Sequence, residues 1–172
     1  MTTEGLDKSI EEYQDFPKKG ILFRDILPLL ANPELFSKVI DSMADSKIFL
    51  NADAILAIDA RGFIFGTAIG LKLSKPIIVA RKPGKLPGEL ITKSYSLEYG
   101  TNSLSIQKDL LDKYEKFAIV DDLLATGGTV KCASDILSES GKKISGLCVV
   151  IELKNLKGRS SFDFPVISQI SY

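Results

Sequence analysis

The sequence contains no histidine, and it has only two cysteines, Cys132 and Cys148. Without an imidazole, proton transfer falls to a carboxylate, lysine, tyrosine or cysteine side chain, and any metal is most simply a hard ion held by oxygen. The cysteines lack CxxC spacing and lie within apolar patterns, which favours buried, reduced thiols over a metal or redox site. These absences exclude chemistry based on histidine.

A net charge is also lacking, because 22 Lys and Arg residues are balanced by 22 Asp and Glu residues. Such a balance does not indicate binding to nucleic acid or to an acidic membrane surface. No apolar run reaches the roughly 18 residues of a membrane span, and the N-terminus has no basic start followed by an apolar stretch. We therefore expect a cytoplasmic protein whose partners are small molecules, with no nucleic-acid or membrane partner.

The chain has 172 residues, of which 45% are hydrophobic, and no internal repeat or linker, so we expect a single domain over residues 1–172. Short apolar runs alternate with helical patterns, which is typical of a doubly wound α/β sheet with mostly parallel strands. The predicted strands are residues 53–59, 76–82, 117–120, 145–153 and 164–172, and helices are predicted to begin near Pro33, Phe63 and Val130.

Two segments lie outside this alternation. Leu6, Ile10 and Tyr13 recur at helical spacing and predict a short amphipathic first helix. Residues 89–107 form two polar, extended arms around Gly100, which indicates an antiparallel hairpin. Because this hairpin carries few apolar anchors, we expect it to open locally at little cost.

The stretch FAIVDDLLATGGT combines a buried strand, two adjacent acids and a glycine turn before a helix. In open α/β sheets, ligands bind at the carboxyl ends of strands, and a helix start exposes backbone N–H groups suited to phosphate. We expect the N–H groups of Ala125 to Thr129 to bind a 5-phosphate, and Asp121 and Asp122 to accept hydrogen bonds from a ribose diol. Taken alone, an acid pair at a strand end is more often a solvated turn or a helix cap.

Cations follow two other predicted strands. Arg61 follows the first central strand, and Arg81, Lys82 and Lys85 lie at the end of the next strand and in its basic loop. We expect them to meet a second anionic group beyond the sugar, with magnesium relieving the negative charge nearby. A basic loop taken alone is more often solvent-facing. The GxGxxG fingerprint and the GxxxxGK[ST] phosphate loop are both absent, which disfavours the common nucleotide-binding folds.

Five motifs follow one another along the chain: DFPKKGILFRDI, ARGFIFG, RKPGKLPGE, YSLEYG and VDDLLATGGT. In this order they resemble the type I phosphoribosyltransferase family, and above all its members that act on adenine. The similarity extends from about Tyr13 to Arg159. It implies a mostly parallel central sheet flanked by helices, an N-terminal hood at about residues 13–28 and an antiparallel hairpin lid at about residues 89–107.

The resemblance also implies an activity. Members of this family transfer the 5-phosphoribosyl group of phosphoribosyl pyrophosphate (PRPP) to a base, and with adenine the products are AMP and pyrophosphate. The implied protein is thus a glycosyltransferase of purine salvage. Its implied cofactor is magnesium, held mainly through the substrate and not directly by the protein. A homodimer is implied as well, with Arg81 as a candidate contributor across the interface.

Residue roles follow from the same resemblance. Glu98 is the implied acceptor of the ring proton of adenine, Tyr99 helps to close the lid, and Arg61 neutralises the leaving pyrophosphate. The implied PRPP- and AMP-binding residues are Asp59, Ala60, Arg61, Arg81, Lys82, Lys85, Asp121, Asp122, Ala125, Thr126, Gly127, Gly128 and Thr129.

Adenine recognition falls to the hood in this interpretation. Backbone groups of Leu22 and Arg24 are expected to pair with the amino edge of adenine, with Phe23 or Leu123 against the ring face. Two other functions would keep the fold: phosphoribosyl transfer to another nucleobase, or regulation by a protein that binds PRPP without turnover. The hood and lid motifs argue against the first, and the retained Glu98 argues against the second.

Overall fold

The computed structural model describes residues 5–97 and 100–172, and every predicted central strand is present in it. The strands are β1 (Glu11–Gln14), β2 (Leu22–Asp25), β3 (Ala54–Ile58), β4 (Ile77–Ala80), β5 (Leu90–Leu97), β6 (Gly100–Gln107), β7 (Lys116–Leu124), β8 (Lys143–Glu152) and β9 (Val166–Ser171). The α-helices are α1 (Leu27–Leu30), α2 (Pro33–Ala44), α3 (Lys47–Leu50), α4 (Gly62–Leu73), α5 (Lys108–Leu111) and α6 (Gly128–Glu139). Short 3₁₀ turns cover Asp7–Ser9, Lys154–Leu156 and Gly158–Ser161.

A parallel five-stranded sheet in the order β4-β3-β7-β8-β9 forms the centre of the molecule. All of β3 is buried, as expected for a strand covered on both faces. Because side chains alternate along a strand, Ile55 and Ala57 pack in the cluster that contains the apolar faces of α2, α3 and α4. Leu56 and Ile58 pack with α6 and the β5–β6 hairpin. The predicted α/β fold with helices flanking a mostly parallel sheet is confirmed.

Helix α4 lies close to the sheet because glycines face it. A Cβ atom added at Gly66 would lie 2.7 Å from the Cβ of Ala57, so a larger residue would push the helix outward. At the start of the same helix, a Cβ atom on Gly62 would lie 3.1 Å from Oδ1 of Asp121. This close packing places the turn before α4 beside the acids of β7.

The predicted first helix is wrong. After the 3₁₀ turn Asp7–Ser9, the chain forms β1, which pairs antiparallel with β2. Leu6 and Ile10 are buried, but Tyr13 is 48% exposed, because the chain leaves the helical path before it reaches this residue. Strand pairing across the intervening turn is a nonlocal contact, and local periodicity does not encode it.

The predicted antiparallel hairpin is confirmed, because β5 and β6 pair in regular register. The expectation that the hairpin has few apolar anchors is wrong for its second strand, β6. Leu104 and Ile106 are fully or almost fully buried, and Ser105 forms a two-way backbone bridge with Arg81 at the end of β4. The hairpin is therefore attached to the sheet through its second strand.

Both cysteines are free and buried, as predicted. Burial raises the pKa of Cys148 to about 12, so this thiol stays protonated and unreactive. No helix within residues 5–97 and 100–172 has the length and apolar character needed to cross a membrane.

Candidate functional site

The carboxyl ends of β3 and β7 meet because these strands are parallel neighbours in the sheet. Beside them lies a cavity of about 300 Å³, which we call the polar cavity. Its lining comprises Asp59, Ala60, Arg61, Asp121, Asp122, Leu123, Leu124, Ala125, Thr126, Gly127, Gly128, Thr129 and Val130. Two of the segments predicted to bind PRPP are thus brought together.

The turn at residues 125–127 leads directly into α6 and forms one end of the polar cavity. Gly127 has φ +86°, a left-handed conformation that favours glycine, and its carbonyl oxygen accepts the N–H of Lys131 over 2.8 Å. The N–H groups of a first helical turn have no partner within the helix, so they are suited to an anion. Thr129 is fixed by a 3.1 Å hydrogen bond between its Oγ1 and the hydroxyl of Tyr95 in β5.

The acid pair was predicted to lie at the carboxyl end of its strand, but the strand continues past it, so that both acids lie within β7. Asp121 is 9% exposed and Asp122 is 6% exposed, so neither is the solvent-edge acid that the sequence suggested. Oδ1 of Asp121 accepts the backbone N–H of Asp122 over 2.8 Å. Burial, and then the neighbouring charge of Asp122, raise the pKa of Asp121 well above the ordinary value of 3.8. Both carboxyl groups line the polar cavity.

Both of the predicted anion-binding arginines are paired with acids. Arg61, just before α4, donates from Nε to Oδ2 of Asp122. Arg81 at the end of β4 donates from Nε to Oδ2 of Asp59 over 2.9 Å. Each pair joins neighbouring segments at the carboxyl edge of the sheet, so the arginines are oriented by the same acids that line the cavity.

The remaining predicted residues occupy different places. Lys82 and Lys85 are exposed on the loop after β4, outside the lining of the polar cavity. Leu123 lines that cavity and packs partly against the core cluster that contains α2 and α4. Glu98 and Tyr99 lie outside the described residues.

A second cavity of about 330 Å³, the apolar pocket, adjoins the polar cavity through Arg61. It is lined by Tyr13, Phe16, Phe23, Asp25, Leu27 and Arg61. Phe16 and Phe23 pack edge to face with ring centroids 5.1 Å apart. Flat aromatic walls of this kind suit a planar ring.

Only part of the apolar pocket could be predicted from the sequence. Phe23 lines it as expected, whereas Leu22 is outside its lining and the Arg24 guanidinium lies 3.3 Å from the centre of the Tyr172 ring. The backbones of Leu22 and Arg24 share one edge of β2, because they lie two residues apart. Tyr13 and Phe16 were missed as lining residues, although their aromatic character beside the DFP segment was a usable signal.

Like Leu27, Asp25 is a further lining residue that sequence reasoning missed. Its Oδ1 accepts the N–H of Leu27 over 3.0 Å, which fixes the carboxylate at the edge of the apolar pocket. The remaining acceptor capacity of a carboxylate suits an amino group or a ring N–H. No local sequence pattern distinguishes an acid that binds a ligand from an acid that caps a helix, so this role could not be predicted.

Residues 5–97 and 100–172 contain no cluster of three or more His, Cys, Asp or Glu side chains that could hold a metal ion. The oxygen donors of Asp121 and Asp122 suit a hard ion, but Arg61 already pairs with this acid site. The acids of the polar cavity therefore have the type of oxygen donor that a magnesium ion requires.

Comparison with known proteins gives a consistent result. Residues 28–171 match the model of the phosphoribosyl transferase domain. The chain is 60% identical to the adenine phosphoribosyltransferase of Prochlorococcus marinus strain MIT 9211 over 172 residues, all of both chains. It is 48% identical to that of Mycoplasmopsis agalactiae over 166 residues, 96% of each chain.

Solved structures agree with these sequence matches. Adenine phosphoribosyltransferase from Thermoanaerobacter pseudethanolicus superposes with a TM-score of 0.91 at 40% identity, over 99% of this chain and 100% of that one. The Saccharomyces cerevisiae enzyme, solved with an imino-altritol bisphosphate and adenine, gives a TM-score of 0.86 at 35% identity over 98% of each chain. Both matches extend over nearly the whole fold described above.

Proposed function

This chain belongs to the phosphoribosyltransferase family, and we propose that it transfers the 5-phosphoribosyl group of PRPP to adenine, forming AMP and pyrophosphate. It is a transferase of purine salvage, and its full-length relatives carry the same activity in their names. The alternatives of another nucleobase or a regulator without turnover have no comparable support.

One structural observation carries the proposal: the polar cavity and the apolar pocket meet at Arg61. The polar cavity offers helix-start N–H groups and two buried acids, which suit a phosphate and a ribose diol. The aromatic rings of the apolar pocket suit a planar base. A ligand that spans both cavities therefore has the composition of a nucleotide.

The polar cavity binds the sugar phosphate in this proposal. Backbone N–H groups of residues 125–129 hold the 5-phosphate, and Asp121 and Asp122 accept hydrogen bonds from the ribose hydroxyls. The turn from Asp59 to Arg61 holds the pyrophosphate. Arg81 and the exposed Lys82 and Lys85 approach from the loop side. The paired acids Asp59 and Asp122 keep the two arginines in place before substrate binds.

The reaction breaks the bond between the anomeric carbon of ribose and a pyrophosphate oxygen, and it forms a bond from that carbon to a ring nitrogen of adenine. Positive charge develops on the sugar as pyrophosphate leaves, so the fixed carboxylates of β7 stabilise the transition state. The ring nitrogen loses its proton, and Glu98 is the proposed acceptor. Tyr99 is proposed to close over the site and exclude water.

When bound together with PRPP, magnesium would neutralise part of the charge of the pyrophosphate. The acids that line the polar cavity, and that could approach such an ion, are Asp59, Asp121 and Asp122. Adenine is proposed to lie with Phe23 or Leu123 against its ring face and with backbone groups of Leu22 and Arg24 at its amino edge.

A homodimer is also proposed. Helix α4 buries one side against the sheet, yet Leu71 on its other side is 82% exposed and Ile64 is exposed as well. Apolar residues on both sides of a helix favour a second packing partner. A contribution of Arg81 to the second subunit and a cytoplasmic location stay predictions.

The proposal is tested by mixing the protein with magnesium, PRPP and one base at a time, and by following nucleotide formation. Adenine is expected to give AMP, with a kcat/KM several orders of magnitude above that of hypoxanthine or guanine, because a pocket built for an amino edge rejects bases that lack it. Equal rates with hypoxanthine would refute the choice of base. PRPP binding without any turnover would favour a regulator.

A further inference from the structure

Gly158 packs its backbone against the turn at residues 125–127, although it lines neither cavity. A Cβ atom added to Gly158 would overlap the carbonyl oxygen of Ala125 and lie 3.0 Å from the backbone nitrogen of Gly127. Conversely, a Cβ atom on Gly127 would lie 3.1 Å from the carbonyl oxygen of Gly158. The two backbones touch with no side chain between them, so the position of one limits the position of the other.

An ion pair holds Gly158 in this place. The next residue, Arg159, donates from Nε to Oε1 of Glu152 over 2.8 Å and from Nη2 to Oε2. Ser168 Oγ donates to the same Oε2 over 2.8 Å, and the Glu152 side chain is only 4% exposed. A buried carboxylate with a two-pronged arginine and a hydroxyl donor has a well-defined position.

Glu152 is the last residue of β8, the strand beside β7. Immediately after it, the N–H of Leu153 donates to the carbonyl oxygen of Leu124 over 2.9 Å. The end of β8 is thus bound to the residue that precedes Ala125. Through Arg159, Glu152 is therefore linked to Gly158, and these contacts reach both ends of the turn at residues 125–127.

We propose that Glu152, Arg159 and Gly158 are positioning residues that set the backbone N–H groups of residues 125–129 for the 5-phosphate. This inference rests on the proposed phosphate-binding function of that turn. It assigns to the ion pair a role in binding the phosphorylated substrate, distinct from a contribution to stability alone. Adenine binding, in the separate apolar pocket, does not depend on it.

The experiment compares wild type with Arg159→Lys, which keeps the charge but loses the two-pronged geometry, and with Gly158→Ala, which introduces the overlap. For both variants we expect the KM for PRPP and the dissociation constant of AMP to rise about tenfold or more, as small misplacements of binding groups do. The KM for adenine should stay within about twofold of wild type. Asp41→Asn is the matched control, because it breaks an exposed ion pair with Lys72 remote from the cavities.

The outcomes separate the two proposals. If wild type neither binds AMP nor uses PRPP, the proposed function is wrong. If wild type does both, but Arg159→Lys only lowers the melting temperature and leaves the KM for PRPP unchanged, the positioning role is refuted. An equal rise in both KM values also refutes it. Should Gly158→Ala fail to fold, Arg159→Lys decides the question.

Discussion

Arg61 and Asp122 form an ion pair that joins the turn before α4 to strand β7. The two residues were expected to bind opposite parts of the substrate, yet they also bind each other. The Arg61 side chain is 43% exposed, whereas that of Asp122 is almost buried. Loss of the arginine would therefore leave a buried acid without its neutralising partner.

Arg61→Met is expected to lower the free energy of unfolding by about 1–3 kcal/mol, the usual cost of an unpaired buried polar group. The double variant Arg61→Met, Asp122→Asn should recover most of this loss, because the uncompensated charge is removed, but it should not recover turnover. Urea unfolding at neutral pH measures both effects. If Arg61→Met alone were as stable as wild type, Asp122 would need no partner in the folded protein.

Asp121→Asn is expected to raise the melting temperature at neutral pH. Burial raises the pKa of Asp121 above its ordinary value, so the folded state favours the protonated form. The associated stability is complete below the unfolded pKa of about 4 and is lost as the pH rises through the folded value. Asparagine cannot ionise, so the gain over wild type should appear at neutral pH and vanish in acid.

Scanning calorimetry across this pH range tests the prediction for Asp121. A difference in melting temperature that is the same at every pH would contradict it. The same variant should bind PRPP more weakly, because its side chain accepts fewer hydrogen bonds from the ribose. Greater stability with weaker binding is the trade-off expected of a site residue.

Glu98→Gln is expected to lower kcat with little effect on the affinity for PRPP, because the amide keeps the shape of the side chain but cannot accept a proton. Single-turnover kinetics measure the chemical step without interference from product release. Glu89→Gln, at the start of the same hairpin, is a suitable control since Glu89 pairs with Lys108. An unchanged single-turnover rate would show that a group other than Glu98 accepts the proton.

Lys93 is expected to resist trypsin in the free protein, contrary to what its place in a polar hairpin suggests. Its ammonium pairs with Asp135 and Glu139 of α6, and its carbonyl oxygen accepts a hydrogen bond from Sγ of Cys132 over 3.2 Å. Cleavage needs local unfolding of this strand. Lys85, exposed on the preceding loop, is the internal control and should be cut first.

Peptide mapping by mass spectrometry distinguishes the two lysines. Cleavage after Lys93 at the rate seen for Lys85 would mean that the first arm of the hairpin opens freely. If Lys93 is fully protected from trypsin without ligand, the first arm of the hairpin stays closed. Any opening of the lid would then be confined to residues nearer to the tip of the hairpin.

Local sequence patterns were sufficient for the central sheet. The run at β3 is uniformly apolar, and the Asn-Pro start of α2 is confirmed by the N–H of Leu35, which donates a 3.1 Å capping hydrogen bond to Asn32 Oδ1. The glycine turn before α6 was equally readable, since Gly127 adopts the left-handed conformation that its residue type favours. Short-range chemistry determines each of these features.

Features that depend on distant segments could not be predicted. The pairing of β1 with β2 replaced an expected helix, and β7 continues through Asp121 and Asp122 because β8 extends beside it. The Glu152–Arg159 pair and its link to the phosphate-binding turn likewise need the folded sheet. A pattern of residue types shows which groups are available, but not which of them pair with each other.

The most direct measurement is a crystal structure of the protein with AMP. We predict the phosphate on the backbone N–H groups of residues 125–129, the ribose hydroxyls on Asp121 and Asp122, and the adenine ring against Phe23 in the apolar pocket. Density for the base in that pocket and for the phosphate at the start of α6 would support the assignment of both cavities. Adenine bound away from Phe23, or phosphate bound away from α6, would contradict it.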